Sequence, residues 1–154
     1  METQFLNYKF MKEAFLKILV ALPVTLNIAI VSMILAFILS FFIAMVRINK
    51  IPVLTKLAAV YVSFIRGTPL LVQIYLSFYG IPKFLYYMHT NYNWNLDVNN
   101  IPAIIFIYVA FTLNVAAYLS ETFRGAIQAV DYGQTEAALS VGMTKWQATK
   151  RIVL

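Results

Sequence analysis

The sequence predicts an all-α polytopic membrane protein with three transmembrane helices. Of its residues, 62% are hydrophobic and only 12% are charged, whereas about 25% of residues are charged in soluble domains. Mean hydropathy is +0.77. Three long stretches contain at most one charge each, and each is long enough to supply the roughly 20 apolar residues that a spanning helix needs. We therefore treat the lipid bilayer as the solvent of most of this chain.

The N-terminal residues 1–17 predict a helix that lies at the membrane interface. Aromatic residues such as Phe5, Phe10 and Phe15 alternate there with Lys9 and Lys12. A helix with apolar and basic faces binds the boundary between headgroups and acyl chains.

The three spans are expected at residues 22–46, 57–79 and 101–123. The first and third contain no charge inside the apolar region, and the second contains only Arg66. Pro23 is placed in the first turn of the first span, where its missing N–H costs little. This span is longer than the core of a signal peptide, which is about 7 to 15 residues, so we expect it to remain in the mature protein.

Basic residues predict the orientation of the spans. Seven lie in the segments that follow the first and third spans, and four lie near the N-terminus or in the loop 81–100. Cytoplasmic loops are enriched in Lys and Arg, so that loop and the N-terminus are expected outside the cell. Lys9, Lys12 and Lys17 argue against the placement of the N-terminus. The aromatic residues of the loop are typical of an outer interfacial belt, although the same surface could receive an extracytoplasmic partner.

The composition argues against several other functions. The formal charge of +6 is explained by the basic flanks of the spans, without a nucleic-acid partner. Cysteine is absent and the single histidine, His89, stands alone in a polar loop, so the sequence predicts no metal site. It also contains no nucleophile with a base and no phosphate-binding loop. We expect no catalytic residues and no enzymatic activity.

A charge and two helix-weakening residues interrupt the second span at Arg66, Gly67, Thr68 and Pro69. Counting from Leu57 places Arg66 some 14 Å deep, near the middle of the roughly 30 Å hydrocarbon core. Burial of Arg there costs about 2.5 to 3.5 kcal/mol, so it should face protein or water and have a partner. Pro69 and Gly67 predict a kink or an opening. These four residues are candidates for the substrate pathway, and a purely structural role for Arg66 is equally open.

Polar residues form a stripe on the third span. Asn114, Tyr118 and Glu121 recur at helical spacing and so share a face. All three are candidates for the substrate pathway, but for Asn114 and Tyr118 hydrogen bonding between packed helices is favoured over substrate contact. Glu121 can form an interfacial ion pair with Arg124. Asn114 lies at a depth similar to that of Arg66, which makes the two plausible neighbours.

The segment 125–154 is too polar to span the membrane and predicts two short helices with a glycine turn. Thr144 and Gln147 have the spacing of a capping box. Gly142 is well placed to end a helix that contains Glu136. Ala137 and Ala138 are small enough to permit close approach by another surface. We place this segment on the cytoplasmic face.

This segment resembles the cytoplasmic loop signature of permease subunits in binding-protein-dependent ABC importers. Two further stretches are similar to the polar amino-acid branch of that family. The matching residues are Glu136-Ala137-Ala138, Gly142, Ile152 and Leu154 in the loop, and the stretches Phe64 to Gln73 and Ala117 to Gly125 upstream.

The resemblance implies a multi-pass subunit of the cell membrane that works with three partners. These are an ATP-binding subunit, an extracytoplasmic amino-acid-binding protein and a second permease subunit, identical or different. ATP would be bound by its own subunit, so this chain needs no cofactor, and the substrate would be an amino acid. Glu136, Ala137, Ala138 and Gly142 would belong to the coupling helix that docks on the ATPase. Because such permeases have five spans, we expect this chain to be an N-terminal part, truncated within the Glu-Ala-Ala loop.

Two other functions remain open from the residues alone. An ion-coupled secondary transporter would use Arg66 and Glu121 in a proton or ion path. A small membrane scaffold protein would need no pathway. Neither requires a helix for docking an ATPase, so the loop 125–154 discriminates between them and the importer.

Overall fold

The computed structural model describes residues 7–92 and 101–153, and these residues are predominantly helical. This confirms the predicted all-α class. Seven α-helices are described, with a π-helical turn at Leu76–Gly80 and another at Thr149–Val153. The α-helices are α1 (Tyr8–Ile48), α2 (Leu54–Gly67), α3 (Leu70–Tyr75), α4 (Ile81–Tyr92), α5 (Ala103–Gln128), α6 (Tyr132–Ser140) and α7 (Lys145–Ala148).

Helix α1 is continuous over 41 residues, and it differs from the prediction at its N-terminal end. Residues 8–17 continue the helix that contains the first span, so they do not form a separate interfacial helix. Pro23 consequently lies in the helix interior and not in its first turn. The helix begins at Asn7, whose side chain accepts a hydrogen bond from the Phe10 N–H at 3.1 Å. No glycine follows before Pro23, and a proline alone removes one hydrogen bond without necessarily ending a helix.

The predicted second span is broken. α2 ends at Gly67, α3 begins at Leu70, and the two directions differ by 110°. The expected kink or opening is thus confirmed, and the predicted span 57–79 contains most of α2, the break, α3 and part of the following π-helical turn. Thr68 is extended, with φ −116° and ψ 141°, because the residue before a proline is excluded from the helical region.

Two of the described helices, α1 and α5, are long and apolar enough to cross a membrane. The helical stretches Leu54–Gly67 and Leu70–Tyr92, on either side of the break, form a third span if they cross the membrane together. After the break, the chain continues as helix through the π-helical turn into α4. Residues 81–92 are therefore helical where a loop was expected. The aromatic residues Phe84, Tyr86, Tyr87 and Tyr92 are exposed on α4, and Trp94 lies outside the described residues.

Small side chains are buried along α1, which packs against α5. Buried serine and alanine residues recur every four residues along α1, and small residues allow helix backbones to approach closely. Phe37 of α1 packs edge-on against Phe123 of α5, with ring centroids 5.1 Å apart. The buried small residues of α1 are Ser32, Ala36, Ser40 and Ala44, and those of α5 are Ala110, Ala116, Ala117 and Ser120. Ala117 packs against Val62 and Ile65 of α2.

Candidate functional site

The break between α2 and α3 leaves a backbone carbonyl without its usual donor, and Gln73 supplies one. In an unbroken helix the N–H of residue 69 would bond to the carbonyl of Ile65, but Pro69 has no N–H. The Gln73 Nε2 donates to the Ile65 carbonyl at 2.8 Å and to the Thr68 carbonyl at 3.0 Å. It also lies 2.8 Å from the Thr68 Oγ1. The buried Gln73 amide, 6% exposed, therefore supplies the hydrogen bonds that the helix backbone lacks at the break.

The break is tied to α5 on both sides. The Tyr61 hydroxyl, before the break, donates to the Leu113 carbonyl at 2.6 Å. After the break, the Gln73 Oε1 accepts a hydrogen bond from the Asn114 Nδ2 at 3.1 Å. Asn114 therefore contacts the broken helix as expected, but through Gln73.

Arg66 lies at the end of α2, and its guanidinium carbon is 5.4 Å from the centroid of the Tyr118 ring. This is cation–π geometry, and it gives Arg66 the partner that its position in an apolar run requires. Both residues remain exposed. A Cβ atom added at the neighbouring Gly67 would meet nothing within 4 Å. Space is thus open on the Cβ side of Gly67, and the exposed Arg66 side chain next to it is accessible to a ligand or another helix.

A cluster of charges joins the ends of α1 and α5. Glu121 accepts hydrogen bonds from Arg47 through its Oε1 and from the Arg124 Nε through its Oε2, the latter at 2.9 Å. The predicted Glu121–Arg124 pair is thus confirmed. Arg124 also donates from Nη1 to the Gln128 Oε1 at 2.6 Å. The Arg47 and Glu121 side chains are only 18% and 20% exposed, which places this ion pair between the helices.

The polar stripe on α5 serves three different neighbours. Asn114 contacts the break, Tyr118 lies under Arg66, and Glu121 binds Arg47 of α1. Of the candidate pathway residues, Arg66 and Tyr118 contact each other directly. Asn114 contacts the broken helix through Gln73, which was not a candidate. Glu121 belongs to the separate charge cluster.

Two residues of the site were missed by the sequence analysis, Gln73 and Arg47. Gln73 is the one amide side chain in an otherwise apolar run, four residues after Pro69. A polar residue at that spacing from a proline could have indicated a replacement donor. Arg47 was interpreted only as a loop charge, because its partner is far away in the sequence.

The C-terminal segment has the predicted helix, turn and helix. Gly142 has φ +85°, and the N–H groups of Gly142 and Met143 bond to the carbonyls of Leu139 and Ala138 at 3.0 and 3.1 Å. This is a Schellman motif, which favours glycine at the residue with positive φ. The capping box of Thr144 and Gln147 is confirmed, with bonds of 2.9 and 3.2 Å.

The two alanines of the segment face different ways. Glu136 and Ala137 are exposed on α6, whereas Ala138 is 5% exposed and packed within the chain. Only Ala137 of the pair is thus open to another surface. Two large side chains of the segment are also exposed, Val141 at 76% and Trp146 at 70%. The exposed surface of the segment is therefore mixed, because Glu136, Lys145 and Gln147 are exposed as well.

Comparison with known proteins identifies the family. Residues 36–154 match the model of the binding-protein-dependent transport system inner membrane component. The chain is 44% identical over 149 residues to the probable amino-acid permease protein YxeN of Bacillus subtilis, covering 97% of this chain and 62% of that protein. It is 41% identical over 133 residues to the L-cystine transport system permease protein TcyL of the same organism, covering 86% and 53%.

A solved structure, that of an amino acid ABC transporter with histidines, superimposes with a TM-score of 0.74 at 31% identity. The match covers 97% of this chain and 64% of that chain. The present chain thus spans roughly three fifths of the length of YxeN, its relative in Bacillus subtilis. The chain belongs to the inner membrane components of binding-protein-dependent transport systems, within the amino-acid ABC transporter permeases.

Proposed function

We propose that this chain forms part of the translocation pathway of an ATP-driven amino-acid importer and carries the segment that couples the pathway to an ATPase subunit. The observation that carries the proposal is the segment α6–Gly142–α7. Its turn is fixed by a Schellman motif and a capping box, so it presents Glu136 and Ala137 on a rigid unit that follows α5 directly. A rigid polar helix pair outside the spans is suited to transmit the motion of a partner.

The partners proposed are those of the family. A separate subunit binds and hydrolyses ATP, an extracytoplasmic protein delivers the amino acid, and a second permease subunit completes the pathway. This chain itself holds no cofactor and catalyses no reaction. It crosses the cell membrane more than once, with the segment 125–154 in the cytoplasm. The ion-coupled alternative is less well supported, because Arg47 and Arg124 hold both carboxylate oxygens of Glu121.

Arg66 is the residue proposed to meet the substrate. Every α-amino acid has a carboxylate, and a guanidinium binds carboxylates through two parallel hydrogen bonds. Arg66 is exposed beside the open space at Gly67, and the Tyr118 ring holds it in place. A charged residue in an apolar run with room beside it is suited to line a pathway.

The experiment uses the full-length permease, co-expressed with its ATPase subunit and binding protein and reconstituted into proteoliposomes. ATP-dependent uptake of a radiolabelled mixture of L-amino acids is measured. We expect uptake by the wild type, and in Arg66→Ala we expect normal assembly and basal ATP hydrolysis with uptake reduced about a hundredfold but still measurable, the scale expected for loss of a charge-assisted hydrogen-bonded contact. Lys56→Ala, which removes an exposed cation at the start of the same helix, should leave uptake unchanged. Absence of ATP-dependent uptake in the wild type would refute the importer, and normal uptake in Arg66→Ala would refute the role of Arg66.

A further inference from the structure

The Gln73 side chain occupies the centre of the broken helix. It is the only amide among the buried side chains of the described residues. Its NH2 group faces the carbonyls of Ile65 and Thr68, and its Oε1 faces Asn114. Because the NH2 group can only donate, these neighbours fix the orientation of the amide.

We infer that Gln73 is a positioning residue for the substrate contact, in that its amide holds the break against α5 and so fixes Arg66 over Tyr118. The inference rests on the proposed function, in which Arg66 meets the substrate carboxylate. Gln73 itself does not contact the substrate. It acts through the backbone of Ile65, the residue that precedes Arg66.

The path from Gln73 to Arg66 consists of direct contacts. Tyr61 and Gln73 bind adjacent residues of α5, Leu113 and Asn114, so both sides of the break are attached to one turn of that helix. The next turn of α5 carries Tyr118 below the Arg66 guanidinium. The distance between the guanidinium and α5 is therefore set by the attachments on both sides of the break.

Gln73 also affects which ligand charge the break can bind, because its amide occupies two backbone carbonyls. Backbone carbonyls freed at a broken membrane helix can bind cations, but here the amide already binds the carbonyls of Ile65 and Thr68. The Arg66 guanidinium remains exposed at the break. The break therefore offers a positive charge to the carboxylate of an amino acid, while two of its carbonyls are already bound.

The test combines Gln73→Met, which keeps the length of the side chain and removes its hydrogen bonds, with Arg66→Ala in the reconstituted importer. ATP-dependent uptake of the radiolabelled amino-acid mixture should fall about tenfold in Gln73→Met, the scale expected for loss of one or two net hydrogen bonds. The double variant should lose no more uptake than Arg66→Ala alone, because Gln73 acts through Arg66. Ser77→Ala, a second buried polar residue four positions further along the chain, should retain wild-type uptake.

Amide hydrogen exchange of the full-length permease in its purified complex, measured in nanodiscs, reports on the break without transport. Gln73→Met should raise exchange at residues 68–73 and leave residues 30–42 of α1 unchanged, since only local contacts are lost. Thr68→Val removes the hydroxyl neighbour of the amide and is the second variant if Gln73→Met does not assemble. It should show the same changes to a smaller extent.

The outcomes separate the two proposals. If the losses in Gln73→Met and Arg66→Ala multiply in the double variant, Gln73 acts elsewhere and the inference is overturned while the importer stands. Unchanged exchange at residues 68–73 in Gln73→Met overturns it as well, whatever the uptake. If the wild type takes up no amino acid, the proposed function fails, and the inference about substrate fails with it.

Discussion

Two arginines meet at Glu121, where α1 and α5 are joined: Arg47 from α1 and Arg124 from the next turn of α5. The carboxylate lies between the Arg47 and Arg124 guanidiniums. Charge-assisted bonds of this type are stronger than neutral ones, and the low exposure of Arg47 and Glu121 reduces screening by solvent. Because the cluster contains two positive groups, removal of the carboxylate would leave both guanidiniums facing one another.

Glu121→Gln should therefore destabilise the chain by about 1 to 2 kcal/mol, between the values for exposed and buried pairs. The measurement is thermal unfolding in detergent. Arg47→Gln combined with Glu121→Gln should lose less stability than the sum of the single variants, since the pair is coupled. Glu136→Gln, which changes an exposed carboxylate on α6, is the matched control and should be neutral. Equal effects of Glu121→Gln and Glu136→Gln would show that the cluster contributes nothing to stability.

At the scale of the elements, the ends and breaks of helices depend on single residues. Gly142 ends α6 with φ +85°, a conformation that is costly for residues with a Cβ atom, although asparagine tolerates it better than most. A Cβ atom there would meet nothing within 4 Å, so any effect of a substitution comes from the backbone and not from a clash.

Gly142→Leu should accordingly shift the angle between α6 and α7, whereas Gly142→Asn should largely preserve it. In the full-length permease we expect Gly142→Leu to insert normally into the membrane but to retain less of the ATPase subunit during co-purification. Gly142→Asn should retain near-wild-type amounts. Glu136→Lys, which reverses the exposed charge of α6, should also weaken retention. If both Gly142→Leu and Glu136→Lys retain the ATPase subunit at wild-type levels, this segment is an ordinary linker and does not dock the ATPase.

The elements show where sequence patterns suffice and where they fail. The capping box, the Gly142 turn and the break at Pro69 each depend on residues a few positions apart, and all were predicted. The Arg47–Glu121 and Gln73–Asn114 contacts join residues far apart in the sequence, and no local pattern encodes them. The 110° change of direction was missed for the same reason. Pro69 predicts a break, but packing against α5 sets its angle.

At the scale of the whole molecule, polar and apolar side chains are distributed as a bilayer requires. Small serines and alanines of α1 and α5 are buried, while large apolar residues such as Phe37, Phe42 and Ile34 are more than half exposed. Lipid is as apolar as these side chains, so helices associate through close packing of small residues and not through burial of large ones. The exposed apolar surface is thus available to lipid and to neighbouring subunits.

The contacts also constrain the orientation of the chain. The Arg47–Glu121 pair joins the C-terminal parts of α1 and α5, while Tyr108 donates a hydrogen bond to Asn27 nearer their N-terminal ends. The two helices therefore run in the same direction. This places the basic segments that follow them on the same side of the membrane, and the positive-inside bias predicts that this side is cytoplasmic. Asn91, on α4, is then expected outside.

Single cysteines test this orientation, because the chain has no cysteine of its own. Asn91→Cys should react with an impermeant thiol reagent in intact cells, and Gln128→Cys should react only after permeabilisation. Both positions are exposed in the chain, so a difference in labelling reports the side of the membrane and not burial. Complete labelling of both variants in permeabilised cells is the control for access. Labelling of Gln128→Cys but not Asn91→Cys in intact cells would invert the orientation. The segment α6–Gly142–α7 would then be placed outside, where no ATP-hydrolysing subunit could reach it.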